Sequence, residues 1–245
     1  MRFVATLFQA IIGLAVLGLA WWGAVNVAGV ASNAFPGPVE VWNKALELLM
    51  ADAFQQHAWA SVDVLLYALL PGLVVGLILG AAAGGSGAGR WLFGPFVLVV
   101  AAAPLVAIFP LLIMWFGAGS TSKLVFVFLV AASAVANTIM ARWPTYSDFK
   151  TMEPGAPPDP VEWPPRRPGR MCAVMGGLRL GVVLGVAAVV ITELIGANNT
   201  GVGNFVAMSG SLFNTADAMA AALVILLPTI AIAVFLQAIE KQLGG

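Results

Sequence analysis

Ionisable and polar side chains are scarce in the long apolar stretches of this 245-residue chain, and the few that occur there are where chemistry would have to reside. Glu193 stands near the end of what reads as a fifth long helix. Asp63 lies at the start of a second, and Asn137 and Thr138 sit together in a fourth. Ionisable groups inside a membrane are costly and mark pathways or pair with neighbours. Glu193 is therefore open to two readings, a hydrogen bond to a neighbouring helix or a place in a gate or pathway, whereas Asp63 reads as interfacial. His57, the only histidine, falls outside the apolar stretches and reads as a solvated loop residue. Hydrolytic or redox chemistry would need a constellation of His, Cys or paired carboxylates. None is apparent, so no catalytic residue is named and an enzyme is not expected. Cys172 is the only cysteine, which excludes an intramolecular disulfide and a Cys-cluster metal site. It reads as a small buried hydrophobe at a helix end, and no metal is expected. A self-sufficient proton-coupled transporter keeps several ionisable groups in its spans, so energy, if used, comes from elsewhere.

The elements that must position these residues follow from composition. With 61% hydrophobic and 9% charged residues and a mean hydropathy of +0.98, the chain cannot cover itself with a polar surface, which makes it an integral membrane protein. A spanning helix needs roughly 20 apolar residues. The uncharged runs give about six spans, near 5–30, 59–83, 93–116, 123–141, 172–195 and 217–239. The runs are too long and too little alternating for a barrel. The expected fold class is all-α and polytopic, a single domain over 1–245. Arg2 precedes the first apolar stretch, which continues too far for a signal peptide and reads as a retained helix.

Arg2, Arg90, Arg142, Lys150, Arg166, Arg167, Arg170, Arg179 and Lys241 fall on one side of this arrangement and Lys44 and Lys123 on the other. The positive-inside rule places both termini on the cytoplasmic side. Net charge is zero, and no nucleic-acid partner is expected. Gly72, Gly76, Gly80 and Gly84 recur at four-residue spacing, as do Gly177, Gly181 and Gly185. Such ridges let helix backbones approach closely in lipid. Pro104 and Pro110 each remove a hydrogen bond and predict a kinked or interrupted third span. Residues 31–58 read as an external amphipathic segment with a short helix from Pro38, whose Val39, Trp42, Leu46 and Leu49 share a face suited to the membrane surface. "GANNTGVGNF" reads as a glycine-rich turn on the same side.

One segment breaks the pattern. Arg142 to Cys172 carries eight of the fifteen prolines and nine of the twenty-two charged residues, so 142–171 reads as a cytoplasmic Pro-rich loop. On either side of it, "FPGPVEVW", "PLVAIFPLLIMWFGAGSTSK", "GGLRLGVVLGVAAVVITELIGANNTGVGNF" and "NTADAMAAALVILLPTIAIAVFLQAIEKQL" resemble, in order over most of the chain, the permeases of ATP-binding-cassette (ABC) importers for nitrate, sulfonates, taurine and related small solutes. The resemblance implies a type I importer permease in a bacterial inner membrane: a homodimer with a central pathway, two cytoplasmic ATPase subunits and an external solute-binding protein. ATP would be bound by the ATPase, with no cofactor on this chain. If the chain is a transporter, Pro104, Phe109, Pro110, Trp115, Asn137 and Glu193 are the pathway or gate candidates, because they combine the rare polar groups with the broken helix.

In such permeases the loop between the fourth and fifth helices carries a short coupling helix that docks into the ATPase. Asp148, Glu153, Glu162, Trp163, Arg166 and Arg167 are the candidates for that contact here. The chain departs from the family at this point, because Pro154, Pro157, Pro158 and Pro160 follow Glu153 where a helix should continue. Each interior proline costs about 3 kcal/mol, so no regular coupling helix is expected between Glu153 and Pro168. Three explanations stay open: a stiff extended arm that still touches an ATPase, a permease-derived structural or accessory subunit that has lost ATPase coupling, or a pair of reading-frame shifts. A merely solvated loop fits the composition but leaves the missing motif unexplained.

Overall fold

The computed structural model describes residues 2–26, 35–102, 105–143, 169–196 and 200–243. The described elements are helices: α1 (Arg2–Asn26), α2 (Pro38–Met50), α3 (Asp52–Val64), a π-helical turn (Leu65–Leu69), α4 (Leu70–Gly85), α5 (Gly87–Ala102), α6 (Leu105–Phe116), α7 (Ser120–Arg142), α8 (Arg170–Ile195), α9 (Val202–Ser211) and α10 (Thr215–Leu243). Four stretches are apolar and long enough to cross a membrane: Asp52–Gly85, Ser120–Arg142, Arg170–Ile195 and Thr215–Leu243. Counting α5 and α6 as one bent span gives a fifth. The chain is thus the all-helical, polytopic membrane protein that composition requires. α1 occupies the place of the first expected span, with a shorter apolar stretch at Ile11–Asn26.

Prolines shape two of these elements. The second span begins at Asp52 because α3 runs through the π turn into α4 without a break. Pro71 lacks an N–H and its ring presses on the carbonyl four residues back. The Leu70 N–H donates to Leu65, five residues back, and the wider turn accommodates the proline. The helical stretches Gly87–Val100 and Leu105–Phe116 lie 88° apart. The interruption expected from Pro104 and Pro110 therefore falls between α5 and α6, and Pro110 sits inside α6 without ending it. Pro104 itself is outside the described residues.

α7 is the centre of the bundle, with α4 and α8 packed along it and α5 and α6 beside it. Small residues explain the closeness. A Cβ at Gly76 would stand 2.7 Å from the Ala132 carbonyl oxygen, and one at Gly84 would stand 2.6 Å from Trp143 Cβ. Gly72 and Gly80 meet Ala131 and Ala136 of α7 in the same way, and Gly177, Gly181 and Gly185 of α8 face Ile139, Val135 and Leu69. Van der Waals packing of this kind holds helices together where lipid removes the hydrophobic drive. Gly13, Gly18 and Gly23 of α1, by contrast, have nothing within 4 Å.

α2 begins at Pro38 and buries Val41, Ala45 and Leu48 in a cluster with Phe54 of α3 and Ala220 and Ala221 of α10. Val39, Trp42, Leu46 and Leu49 form a second apolar face, between 45% and 68% exposed. Lys44 lies 2.9 Å from Glu47 and 3.5 Å from Asp217 at the start of α10. The two carboxylates, Glu47 first, hold the Lys44 pKa above its ordinary value. The stretch read as a glycine-rich turn, 196–205, turns helical at Val202, where α9 (Val202–Ser211) begins, while 197–199 lie outside the described residues.

Candidate functional site

Two clusters of polar residues join the helices, one at each end of α8. Glu193, in the last turn of α8, is 1% exposed. Its Oε1 accepts the Ser61 hydroxyl at 2.7 Å and its Oε2 accepts the Gly203 N–H at 2.8 Å. Ser61 Oγ in turn accepts the Val202 N–H at 2.9 Å. The first N–H groups of a helix have no acceptor within it, and a carboxylate beside them is favoured by their partial positive charge. Glu193 and Ser61 together cap α9 from two other helices, which is why a glycine-rich sequence becomes helical there.

Gly201 permits the arrangement. Its φ of +105° lies in the left-handed region that favours glycine, and a Cβ would collide with the Glu193 carboxylate. His57 is not a solvated loop residue. It lies on α3, half-buried, donates Nδ1–H to the Gly201 carbonyl at 3.0 Å, and stands edge-on to Phe205 with ring centroids 5.6 Å apart. Sequence reading missed it because its partner is 144 residues away.

At the opposite end of α8, the Glu240 carboxylate of α10 accepts from the Arg142 guanidinium of α7 and from Arg179 Nε at 3.1 Å. Gly176 makes room, since a Cβ there would run into the Arg142 guanidinium. Cys172 Sγ lies 3.6 Å from the Glu240 carbonyl oxygen, and the Arg170 guanidinium sits 5.6 Å over the Trp143 ring. Trp143 and Arg170 flank the Pro-rich loop, so both of its roots are tied to one another and to the end of α10. The loop candidates Asp148, Glu153, Glu162, Trp163, Arg166 and Arg167 lie outside the described residues, and with them the expectation of no coupling helix.

Of the remaining pathway candidates, Phe109, Pro110 and Trp115 share α6, whereas Asn137 and Glu193 line separate cavities. Phe109 is fully buried against Phe126, with ring centroids 5.1 Å apart. Pro110 is exposed and Trp115 is 69% exposed on α6. Asn137 is half-buried in a groove between α5 and α7 that Arg90 and Trp91 also line, and Arg90 donates there to the Met140 carbonyl at 3.0 Å. Glu193 lines a different cavity, with Asp63 and Lys123.

These features define a multi-pass helical membrane body whose buried polar groups join helices, the build of a transport permease. No family model matches the chain. It is 28% identical over 238 residues to the taurine transport system permease protein TauC of Escherichia coli (strain K12), covering 94% of this chain and 86% of that protein. It is 31% identical over 234 residues to the riboflavin transport system permease protein RibX of Chloroflexus aurantiacus (strain ATCC 29366 / DSM 635 / J-10-fl), covering 91% of this chain and 84% of that one. The chain belongs to the family of ABC transporter permeases, on the branch that its sequence blocks resemble.

Proposed function

We propose that the chain is the membrane-spanning permease subunit of an ABC-type importer for a small solute such as a sulfonate, nitrate or taurine. Two copies form a homodimer around a central pathway, a cytoplasmic cassette ATPase binds the ATP, and an external solute-binding protein delivers the solute. The chain makes and breaks no bonds itself. Its termini and the 142–171 loop face the cytoplasm of a bacterial inner membrane, and the 31–58 segment faces outward. The observation that carries this reading is near full-length similarity to two transport permeases, supported by the arginine and lysine distribution.

Gentle purification from the native membrane tests it: a cassette ATPase should accompany the chain, and the reconstituted complex should hydrolyse ATP faster when loaded solute-binding protein is added. The run of prolines after Glu153 favours a second reading, a permease-derived accessory subunit of a larger membrane complex. Copurification of other membrane subunits with no ATPase would decide for it.

A further inference from the structure

The groove between α5 and α7 stands apart from the Glu193 cap and the Glu240 clasp, and every residue lining it belongs to those two helices. At its inner end Arg90 is exposed. Its Nη2 donates to the Met140 carbonyl at 3.0 Å, which occupies one of several N–H donors on the guanidinium. Trp91 beside it is 81% exposed, and its ring and N–H suit the headgroup level of a bilayer. Asn137 lies three residues before Met140 on α7, about 4.5 Å deeper by helical rise. It is half-buried and makes no hydrogen bond among the described residues. On α5 the groove continues past Pro95 to Leu98, eight residues and about 12 Å from Arg90. None of the described residues lining it carries a carboxylate.

The polar groups of the groove are therefore ordered with depth: a cation and an indole N–H at the membrane surface, an amide one turn below, then apolar side chains. A diacyl phospholipid carries the complementary groups in the same order, a phosphate, then ester carbonyls, then hydrocarbon. We propose that the groove is a binding site for an anionic phospholipid, with its phosphate on Arg90 and Trp91, an ester carbonyl accepting from the Asn137 amide, and an acyl chain along Pro95 and Leu98. Basic pockets between spanning helices on the cytoplasmic side hold lipid headgroups of this kind. A free phosphate would satisfy only the outermost layer. The groove of about 910 Å³ corresponds to about thirty waters at about 30 Å³ each, far more than so small an ion displaces. An anionic headgroup is favoured over a zwitterionic one because the described lining offers a cation and no acid to meet a lipid ammonium. The site is independent of the importer reading; only its assignment to the inner leaflet rests on the sidedness proposed above.

Thermal unfolding of the full chain, delipidated in a neutral maltoside detergent, tests this with phosphatidylglycerol, phosphatidylcholine and inorganic phosphate as probes. A ligand of the folded state raises the unfolding temperature with its concentration. Phosphatidylglycerol should do so at concentrations about tenfold lower than phosphatidylcholine, and inorganic phosphate should not. Arg90→Gln should remove that preference, whereas Lys241→Gln, at another inner-side cation, should keep it. Asn137→Ala should weaken ester-linked phosphatidylglycerol by about threefold or more and leave its ether-linked analogue, which lacks the carbonyls, unchanged. A structural role for the amide would affect both lipids alike. Should Arg90→Gln fail to fold, the ester and ether comparison decides by itself. A preference that survives Arg90→Gln reports general attraction to the protein's cations and overturns the inference, as does equal stabilisation by phosphatidylcholine or by inorganic phosphate. A preference that appears only once 153–168 is replaced by a Gly-Ser linker gives the groove to the loop. In a Cys172→Ser background, Leu98→Cys chains that form disulfide-linked dimers at the same rate with and without added lipid give it to a second copy, and either result overturns the inference.

Discussion

At the scale of single residues, the polar groups of this protein work in pairs that lie far apart in sequence. Removing the Glu193 carboxylate strands the Ser61 hydroxyl and the Gly203 N–H in a buried place, and an unsatisfied buried group costs about 1–3 kcal/mol. Glu193→Ala should therefore lower the unfolding temperature in detergent. Combined with Ser61→Ala it should cost less than the sum of the two, because both act on one cap. Strict additivity in that cycle would mean that the cap holds nothing. Glu240→Gln should also destabilise, but by less than the 3–5 kcal/mol of a fully buried broken pair, because the Arg142 and Arg179 side chains are 38% and 33% exposed and solvent screens them. The exchange Arg142→Glu with Glu240→Arg restores the α7–α10 pair but places an arginine beside Arg179. It should recover part of the loss relative to either single reversal, as thermal unfolding will show. None of these pairings was legible in the sequence. Glu193 and Cys172 drew notice as isolated residues, but the sequence contains no sign that residue 193 reaches back to 61 or 142 forward to 240.

At the scale of helices, legibility depended on whether the cause was local. The four-residue glycine spacing is a property of one segment, so the ridge on α4 could be read directly. Gly76→Leu must separate α4 from α7, since even a Cβ would stand 2.7 Å from the Ala132 carbonyl. It should lose assembly and thermal stability in detergent. Gly18→Leu on α1 meets open space and should change the unfolding temperature little, which makes it the control. A break in this span was foreseen for the same local reason from Pro104 and Pro110, although Pro110 lies within α6 and does not end it. α9 was not foreseen, because its glycine-rich sequence has poor intrinsic helix propensity and is made helical by groups on α3 and α8. The buried face of α2 was overlooked because Val39, Trp42, Leu46 and Leu49 form the more conspicuous stripe. Only packing against α10 reveals that Val41, Ala45 and Leu48 form the inner one.

At the scale of the whole molecule, membrane residence and helical class followed from composition alone, since no arrangement of so few charged residues covers a soluble surface. Sidedness rests on the placement of arginine and lysine. In a Cys172→Ser background, a cysteine at position 147 should react with impermeant reagents only after the membrane is opened, and one at position 32 should react from outside. The opposite pattern would invert the topology. Replacing 153–168 by a Gly-Ser linker addresses function at the same scale. In a coupled importer it should abolish solute-stimulated ATP hydrolysis while leaving the helical body folded, because a flexible chain transmits no force. Persistence of stimulation would free the prolines of any coupling role.

The Glu240 clasp also has a consequence for biosynthesis. Arg142 leaves the ribosome 98 residues before its carboxylate partner. At about 5–20 residues per second this is a delay of about 5–20 s. Throughout that interval α7 and α8 can already lie against each other through their small residues, but their Arg142 and Arg179 guanidiniums lack the Glu240 carboxylate. The loop roots are locked only when the final helix arrives. A nascent chain halted before residue 240 therefore lacks the carboxylate that joins α7, α8 and α10, and this end of the bundle closes last.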